Sequence, residues 1–136
     1  VVVVKQDPRR PFPGATTLWR EPVVWAARDG FAFRGPVPLV LAPAPCVYRA
    51  RATSALDGDG RGWTVAFTSP SFAGSVAAAR AGLGVMPLPQ GMLPDGLVEV
   101  ADLPAMAEAE LALLVRPRAG LAARALAEFV TGHVKR

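Results

Sequence analysis

The sequence has no isoleucine, no asparagine, one cysteine, one histidine and two lysines among its 136 residues. Each scarcity excludes something. A single cysteine cannot close an internal disulfide, so the chain is not a disulfide scaffold. One histidine and one cysteine cannot furnish the ligands of a structural or catalytic zinc, and no metal or cofactor is expected. No window reaches the roughly 18 to 20 apolar residues of a membrane-spanning helix. The richest run, Val37 to Val47, is interrupted by Pro38, Pro43 and Pro45, so no membrane partner is expected. Val1–Val4 lacks the basic region and long apolar stretch of a signal peptide. Arg9–Arg10 is followed by Pro-Phe-Pro-Gly, which ends a twin-arginine reading. A chain opening on strand-like VVVV is expected to be a piece of something longer.

What is present is a large apolar content, 51%, with 19% charged residues. That suits one ordinary core and argues against disorder. The net charge is +4, but arginine outnumbers lysine 13 to 2 and there are 25 alanines. Such skew is the codon bias of a GC-rich genome, and it discounts the charge as a functional signal. Nucleic-acid surfaces cluster Lys and Arg with interleaved aromatics. Here only Arg9–Arg10 and Lys135–Arg136 are adjacent basic pairs, so direct contact with DNA or RNA is not expected.

Along the chain, Val1–Val4 reads as strand and Asp7 to Ala15 as loop. Leu18 to Ala27 is extended, because Pro22 interrupts any helix and Val23, Val24 and Trp25 favour strand. Val37 to Ala42 is a short apolar run of the kind buried in parallel sheets. Pro45 occupies a first-turn position, and Tyr48, Ala52, Ala55 and Leu56 follow at helical spacing until Asp57-Gly58-Asp59-Gly60. Trp63, Val65 and Phe67 alternate with Thr64, Ala66 and Thr68, a strand. Ser69 then reads as N-cap with Pro70 first in a helix whose inner positions are Phe72, Val76, Ala79 and Leu83, closed at Gly82. Gly84–Leu88, Leu97–Val100 and Glu110–Val115 are further strands. A last helix, about Leu121 to Val134, places Ala122, Leu126, Phe129 and Val130 inward. The alternation between Val37 and Leu88 implies βαβ crossovers and a parallel sheet. The outer segments do not alternate in this way, so two lobes follow, the chain entering the central one near Trp25 and leaving it near Val100.

In a parallel unit both strand-to-helix turns lie at the C-terminal edge of the sheet, where backbone N–H groups at helix starts attract anions. The turns are Pro43-Ala44-Pro45-Cys46 and Thr68-Ser69-Pro70-Ser71, the second carrying three hydroxyls. A purely structural reading makes Ser69 a cap and Thr68 an edge-strand residue. Other candidates are weaker. The Asp57-Gly-Asp-Gly run lacks the later acidic ligands and the loop glycine of a calcium site. Gly82-x-Gly84 follows a helix instead of opening one, so it is no phosphate fingerprint. His133 sits where it interacts with a helix C-terminus, and Cys46 suits a half-buried structural thiol at a helix start. Glu108 and Glu110 flank a strand entry and read as solvated. No nucleophile, base and orienting group converge, so the chain is not expected to be an enzyme.

From Leu18, LWREPVVWAARDG and then PLVLAPAPCVYRARATSALDGDGRGWTVAFTSPSFAGSVAAARAGLGVMPLP resemble the effector-binding, or substrate-binding, domain of a bacterial LysR-type transcriptional regulator. The crossing strand ending in Val24-Trp25, Cys46 before Val47-Tyr48-Arg49, and the helix running into Ala81-Gly82-Leu83-Gly84-Val85 carry the likeness. It extends through the short Leu97–Val100 strand to the closing helix, nearly the whole chain. The resemblance implies an α/β, type 2 periplasmic-binding-protein-like, two-lobed fold with one lobe complete and the other partial. Residues 1–25 would be the end of lobe I and a crossover strand, 26–97 lobe II, and 98–136 the return strand and closing helix of lobe I. It implies a cytoplasmic transcription regulator that binds a small, anionic metabolite between its lobes, with DNA recognised only by an N-terminal domain outside this chain. Effector contacts carry over to Thr68, Ser69, Pro70, Ser71 and Phe72, with Cys46 the weaker position. A homodimer or tetramer would form through the Phe72–Leu83 helix and the Gly84–Leu88 strand, the helix exposing Ala73, Ala77, Ala78 and Ala81. A solute-binding lobe of a transport system is the alternative function. A two-lobed enzyme working through Cys46 or His133 is the third reading.

Overall fold

A computed structural model describes residues 1–134, and the basic pair Lys135–Arg136 lies outside the described residues. The elements run β1 (Val2–Gln6), β2 (Thr16–Glu21), β3 (Val23–Ala27), β4 (Val37–Leu41), α1 (Val47–Gly58), β5 (Trp63–Thr68), α2 (Phe72–Arg80), β6 (Met86–Pro89), β7 (Val98–Glu99), β8 (Ala109–Leu114) and α3 (Leu121–His133), with a 3-10 turn at Gln90–Met92. Two compact units result, one from Val1–Glu21 with the chain from Glu108 onward, the other from Pro22–Ala107.

In the second unit β3 is buried at all five positions, because both of its faces are covered. Val24 and Ala26 point into a cluster with Val40, Val76, Ala79, Met86 and Leu88, beneath α2. Trp25 and Ala27 alternate to the opposite side, where Leu39, Leu41, Ala52, Leu56 and Val85 pack beneath α1. A strand covered on both sides reads as a continuous apolar run instead of an alternating one, as VVWAA does. β4 pairs in parallel with β5 and meets Val85 on its other side, where the Val85 N–H donates to Pro38 O at 2.8 Å and Val85 O accepts from the Val40 N–H at 2.9 Å. Gly84 permits that approach, since a Cβ there would lie 2.5 Å from Pro38 O.

Several local expectations are corrected. The expected parallel pairing is present between β4 and β5 and at the Leu39–Val85 bridge, but β3 pairs antiparallel with both β6 and β7, so parallel and antiparallel pairs occur together. The extended run through Leu18–Ala27 is two strands in two sheets, parted at Pro22. Pro45 precedes the α1 cap instead of opening the helix. The cap of α2 is Ser71, not Ser69, because Pro70 lies outside the helix and Phe72 is its first residue. Phe72 and Leu83, placed inward by spacing, are about half exposed, while Ser75 and Ala78 are buried. Ala78 therefore leaves the exposed alanine face. The Gly84–Leu88 strand is buried throughout, so its side chains offer no surface for a second copy. The exposed strand beside α2 is β5, with Thr64, Val65, Ala66 and Thr68 in solvent.

The first unit is held differently. Its sheet has β8 between β1 and β2, both antiparallel. Glu110, expected in solvent, is only 3% exposed. Its carboxylate accepts from Gln6 Nε2 at 2.7 Å on β1, and from Thr17 Oγ1 at 2.8 Å and Arg20 Nε at 3.0 Å on β2. Gln6 Oε1 in turn accepts the Phe12 N–H at 2.8 Å, which secures the connection between those strands. A strand entry that alternates glutamate and alanine looks solvated in sequence, and only the pairing register brings Gln6, Thr17 and Arg20 to the carboxylate. On α3 only Ala127 is buried; Ala122, Leu126 and Phe129 are exposed and Val130 half-buried, so the expected apolar face is not covered within its unit.

The Gln6 amide, outweighing the burial that opposes it, and then Thr17 and Arg20 hold the Glu110 carboxyl below the ordinary carboxylate range. A carboxyl depressed on folding stabilises above its unfolded pKa, and that stability is lost as pH falls through the folded value. Glu110→Gln keeps the shape but loses the charge-assisted bonds, and should lower unfolding stability at pH 7 by about 1 to 3 kcal/mol. Chemical denaturation across pH should show the gap between the two proteins closing in acid; a gap independent of pH would refute the account.

Candidate functional site

Parallel pairing of β4 with β5 puts Leu41 opposite Thr68 at the strands' C-terminal ends. The Ser69 N–H donates to Leu41 O at 3.1 Å, so pairing extends one residue into the turn. Beyond this edge the chain enters α1 through Ala42–Cys46 and α2 through Ser69–Ser71. Adjacent strands lie about 4.8 Å apart, so both helices start at the same end of the β4–β5 pair, α1 then running over one face and α2 over the other. Neither helix has an acidic residue in its first turn. Both N-terminal dipole ends therefore face that edge without a carboxylate to offset them.

The candidate residues divide by how much of their chemistry the fold already uses. Ser71 is the N-cap of α2, its Oγ accepting the Gly74 N–H at 3.2 Å. Ser69 Oγ accepts the Ser71 N–H at 3.1 Å and lies where a Cβ on Gly74 would be 2.9 Å away. The purely structural reading thus accounts for both serines as turn-forming groups, although the Ser71 hydroxyl keeps its own proton to donate. Thr68 is exposed, and its hydroxyl has no partner among the described residues. Pro70 and Phe72 are exposed as well, Phe72 being the one large apolar side chain of the turn.

Across the edge, Cys46 is the N-cap of α1, half-buried, and forms no side-chain capping bond. A cysteine at an N-cap satisfies the first-turn donors poorly compared with serine or aspartate, so this terminus is the less neutralised of the two. Beside it is a residue that sequence reasoning did not single out. Arg49 folds back over the turn and donates to Ala42 O at 3.1 Å. With Ala44, Pro45, Cys46, Ala50 and Thr53 it lines an open depression of about 430 Å³. The signal was present in Val47-Tyr48-Arg49, where an arginine in the first helical turn can reach the preceding loop. His133 is elsewhere, on α3, its ring stacked at 4.0 Å on Phe129 and Nδ1 2.8 Å from Phe129 O. Asp57 of the glycine-aspartate run accepts the Trp63 indole N–H at 2.9 Å. Among the described residues no three His, Cys, Asp or Glu side chains converge as for a metal. No helix of the described residues is long and apolar enough to cross a membrane.

A family model for the LysR substrate binding domain matches residues 1–135. Among solved structures the chain is similar to the regulatory domain of CcmR from Synechocystis PCC6803, in complex with 2-PG, with 14% identity and a TM-score of 0.72 over 98% of this chain and 73% of that one. It is similar to the apo regulatory domain of HypT from Salmonella typhimurium, with 15% identity and a TM-score of 0.70 over 97% and 71% of the two chains. HinK, a LysR family transcriptional regulator from Pseudomonas aeruginosa, aligns with 19% identity and a TM-score of 0.64 over 98% of this chain and 52% of its own. At such identities the structural likeness is one of fold. No curated protein matches the chain in sequence.

The capping geometry separates the serines from the threonine. Ser71→Ala should cost about 1 kcal/mol of stability, the usual value of a lost N-cap, and Ser71→Asp should restore it. Thr68→Val should leave stability within about 0.5 kcal/mol. Equal thermal shifts for Ser71→Ala and Thr68→Val would show that the cap assignment is wrong.

Proposed function

The chain belongs to the LysR substrate-binding domain family, with the type 2 periplasmic-binding-protein-like fold of LysR-type regulatory domains, and from that premise we propose that it senses a small anionic metabolite at the edge where α1 and α2 begin. One observation carries the reading: the parallel β4–β5 pair sends both following helix N-termini to one end of the sheet, without first-turn acids and with an uncommitted Thr68 hydroxyl between strand and helix. Backbone N–H groups and hydroxyls in that arrangement suit a carboxylate or other oxyanion. Phe72 and Cys46 supply apolar surface for the rest of the metabolite. The serines are already locked by their turn bonds, so little ordering accompanies binding.

The sensor acts within a DNA-binding transcription regulator in the cytoplasm, with DNA recognised by residues outside these 136 and with no catalytic step of its own. Effector binding alters the regulator by favouring one of its conformations. The transport-system alternative has no support from the comparisons, since the matching family is that of the regulators. We infer in addition that a second copy packs on the exposed side of α2, where Ala73 and Ala77 permit close approach beside Phe72. Ala77→Glu would place a charge there, and sedimentation should show weaker self-association; unchanged association would remove α2 from the interface.

A panel of small mono- and dicarboxylates, phosphorylated acids among them, tests the site by thermal shift. A ligand at a hundred times its Kd stabilises the folded protein by about 3 kcal/mol. Thr68→Val should weaken the responding ligand about tenfold, as loss of a hydrogen bond to a charged group does, without moving the melting temperature of the free protein. If no anion in the panel stabilises the protein, or if Thr68→Val binds the responding ligand as well as the parent does, the assignment fails.

A further inference from the structure

The return connection from β7 to β8, residues 100–108, has no regular secondary structure. It is nevertheless held to the second unit along most of its course. The Val100 N–H donates to Trp25 O at 2.8 Å. Four residues on, Pro104 O accepts the Trp25 indole N–H at 2.8 Å. One residue of β3 therefore grips the segment twice, once through its backbone and once through its side chain. Between those points Leu103 is buried in the α1-side cluster, and beyond them Met106 packs against the same cluster. From outside, Arg61 Nη1 donates to Asp102 O at 2.9 Å. Trp25 is itself only 3% exposed, so its indole cannot swing away without opening the core.

The other connection between the units is as short as one can be. β2 ends at Glu21 and β3 begins at Val23, and the Pro22 carbonyl between them accepts the Gln90 N–H at 3.0 Å. The two units divide at Glu21/Pro22 and at Ala107/Glu108.

We propose that residues 100–106 form a strap locked to the second unit by Trp25, so that movement of one unit against the other is confined to the Glu21–Pro22 and Ala107–Glu108 junctions. Trp25 is then a positioning residue: it touches no effector, and it sets how many residues take part in the bend. Without the indole bond the hinge on the return side lengthens from a single junction towards the whole segment. A bend spread over many residues transmits less of an effector's differential binding into one defined rearrangement.

The test compares two tryptophans that each donate one indole hydrogen bond inside the second unit. Trp25→Phe removes the bond to Pro104 O, and Trp63→Phe removes the bond to Asp57 Oδ1. Hydrogen exchange should rise about fivefold in 101–107 for Trp25→Phe, the effect of one lost hydrogen bond, and not for Trp63→Phe. Spin labels at Asp59 and Glu128, in a Cys46→Ser background, should give a broader distance distribution in Trp25→Phe than in Trp63→Phe. Arg61→Ala, which leaves the core intact, should raise exchange at 101–103 and serves if Trp25→Phe does not fold. Equal broadening from both tryptophan variants, or unchanged exchange of the strap in Trp25→Phe and Arg61→Ala, overturns the proposal. Neither readout needs a ligand, so a failed effector titration leaves this result unaffected.

Discussion

The parallel pairing of β4 with β5 is the constraint on which the candidate site depends. Antiparallel partners would send their following helices to opposite ends of the sheet, whereas parallel strands must return through a crossover and finish at the same edge. Here that rule brings Cys46 and Ser71, residues 25 positions apart in sequence, to two helix starts on neighbouring strands. The same pairing needs β4 to be approached from its other side by the chain at Val85, which Gly84 permits by carrying no Cβ. The core then follows. With β3 and β4 covered on both faces, each alternate residue has a helix to pack against, and α1 and α2 are fixed in place before any ligand arrives.

The central α/β unit was legible because its signals are local and agree with one another. VPLVL is an apolar run with strand length, WTVAFT alternates, and the serines before Phe72 announce a helix start. The family likeness added the order of the pieces. The misreadings also have local causes. Pro70 between two serines fits a first-turn proline as well as an N′ proline, and only the Ser71–Gly74 bond decides between them. The inward face of α2 was misplaced because Phe72 and Leu83 are large. Val76 and Ala79 are buried as the spacing expects, but Ser75 and Ala78 join them in place of Phe72 and Leu83, and the small volumes let the helix lie close to β4 and β6. Spacing records periodicity, and it does not say which of two apolar stripes meets the sheet.

Glu110 was illegible for a deeper reason. Its three side-chain partners lie 104, 93 and 90 residues away in sequence, and no window shows that a carboxylate at a strand entry will meet an amide, a hydroxyl and a guanidinium at once. The two units thus represent two solutions to the same problem. The second buries a continuous apolar core, while the first relies on a saturated carboxylate at the centre of three strands, with much of the apolar surface of β1 and α3 left exposed. Breaking a satisfied buried carboxylate costs more than loosening one apolar contact, so neutralising Glu110 weakens the first unit where its strands meet.

That difference bears on how a bound metabolite can have an effect. The turn residues of the second unit are already ordered: Ser69 and Ser71 hold each other and Gly74, and Arg49 is tied to Ala42. A ligand docking there meets groups that need little rearrangement, so its binding energy is not consumed in organising the turn. Nor can it deform the unit beneath, because Leu39, Leu56 and Val85 are wholly buried and a close-packed interior yields discretely or not at all. On the proposed reading, a response to the metabolite would be expressed outside the second unit's core, at the two places where the chain leaves it. On the proposed reading, recognition becomes motion only as precisely as those crossings are defined, and that would give the buried Trp25, remote from the proposed binding edge, a share in the function.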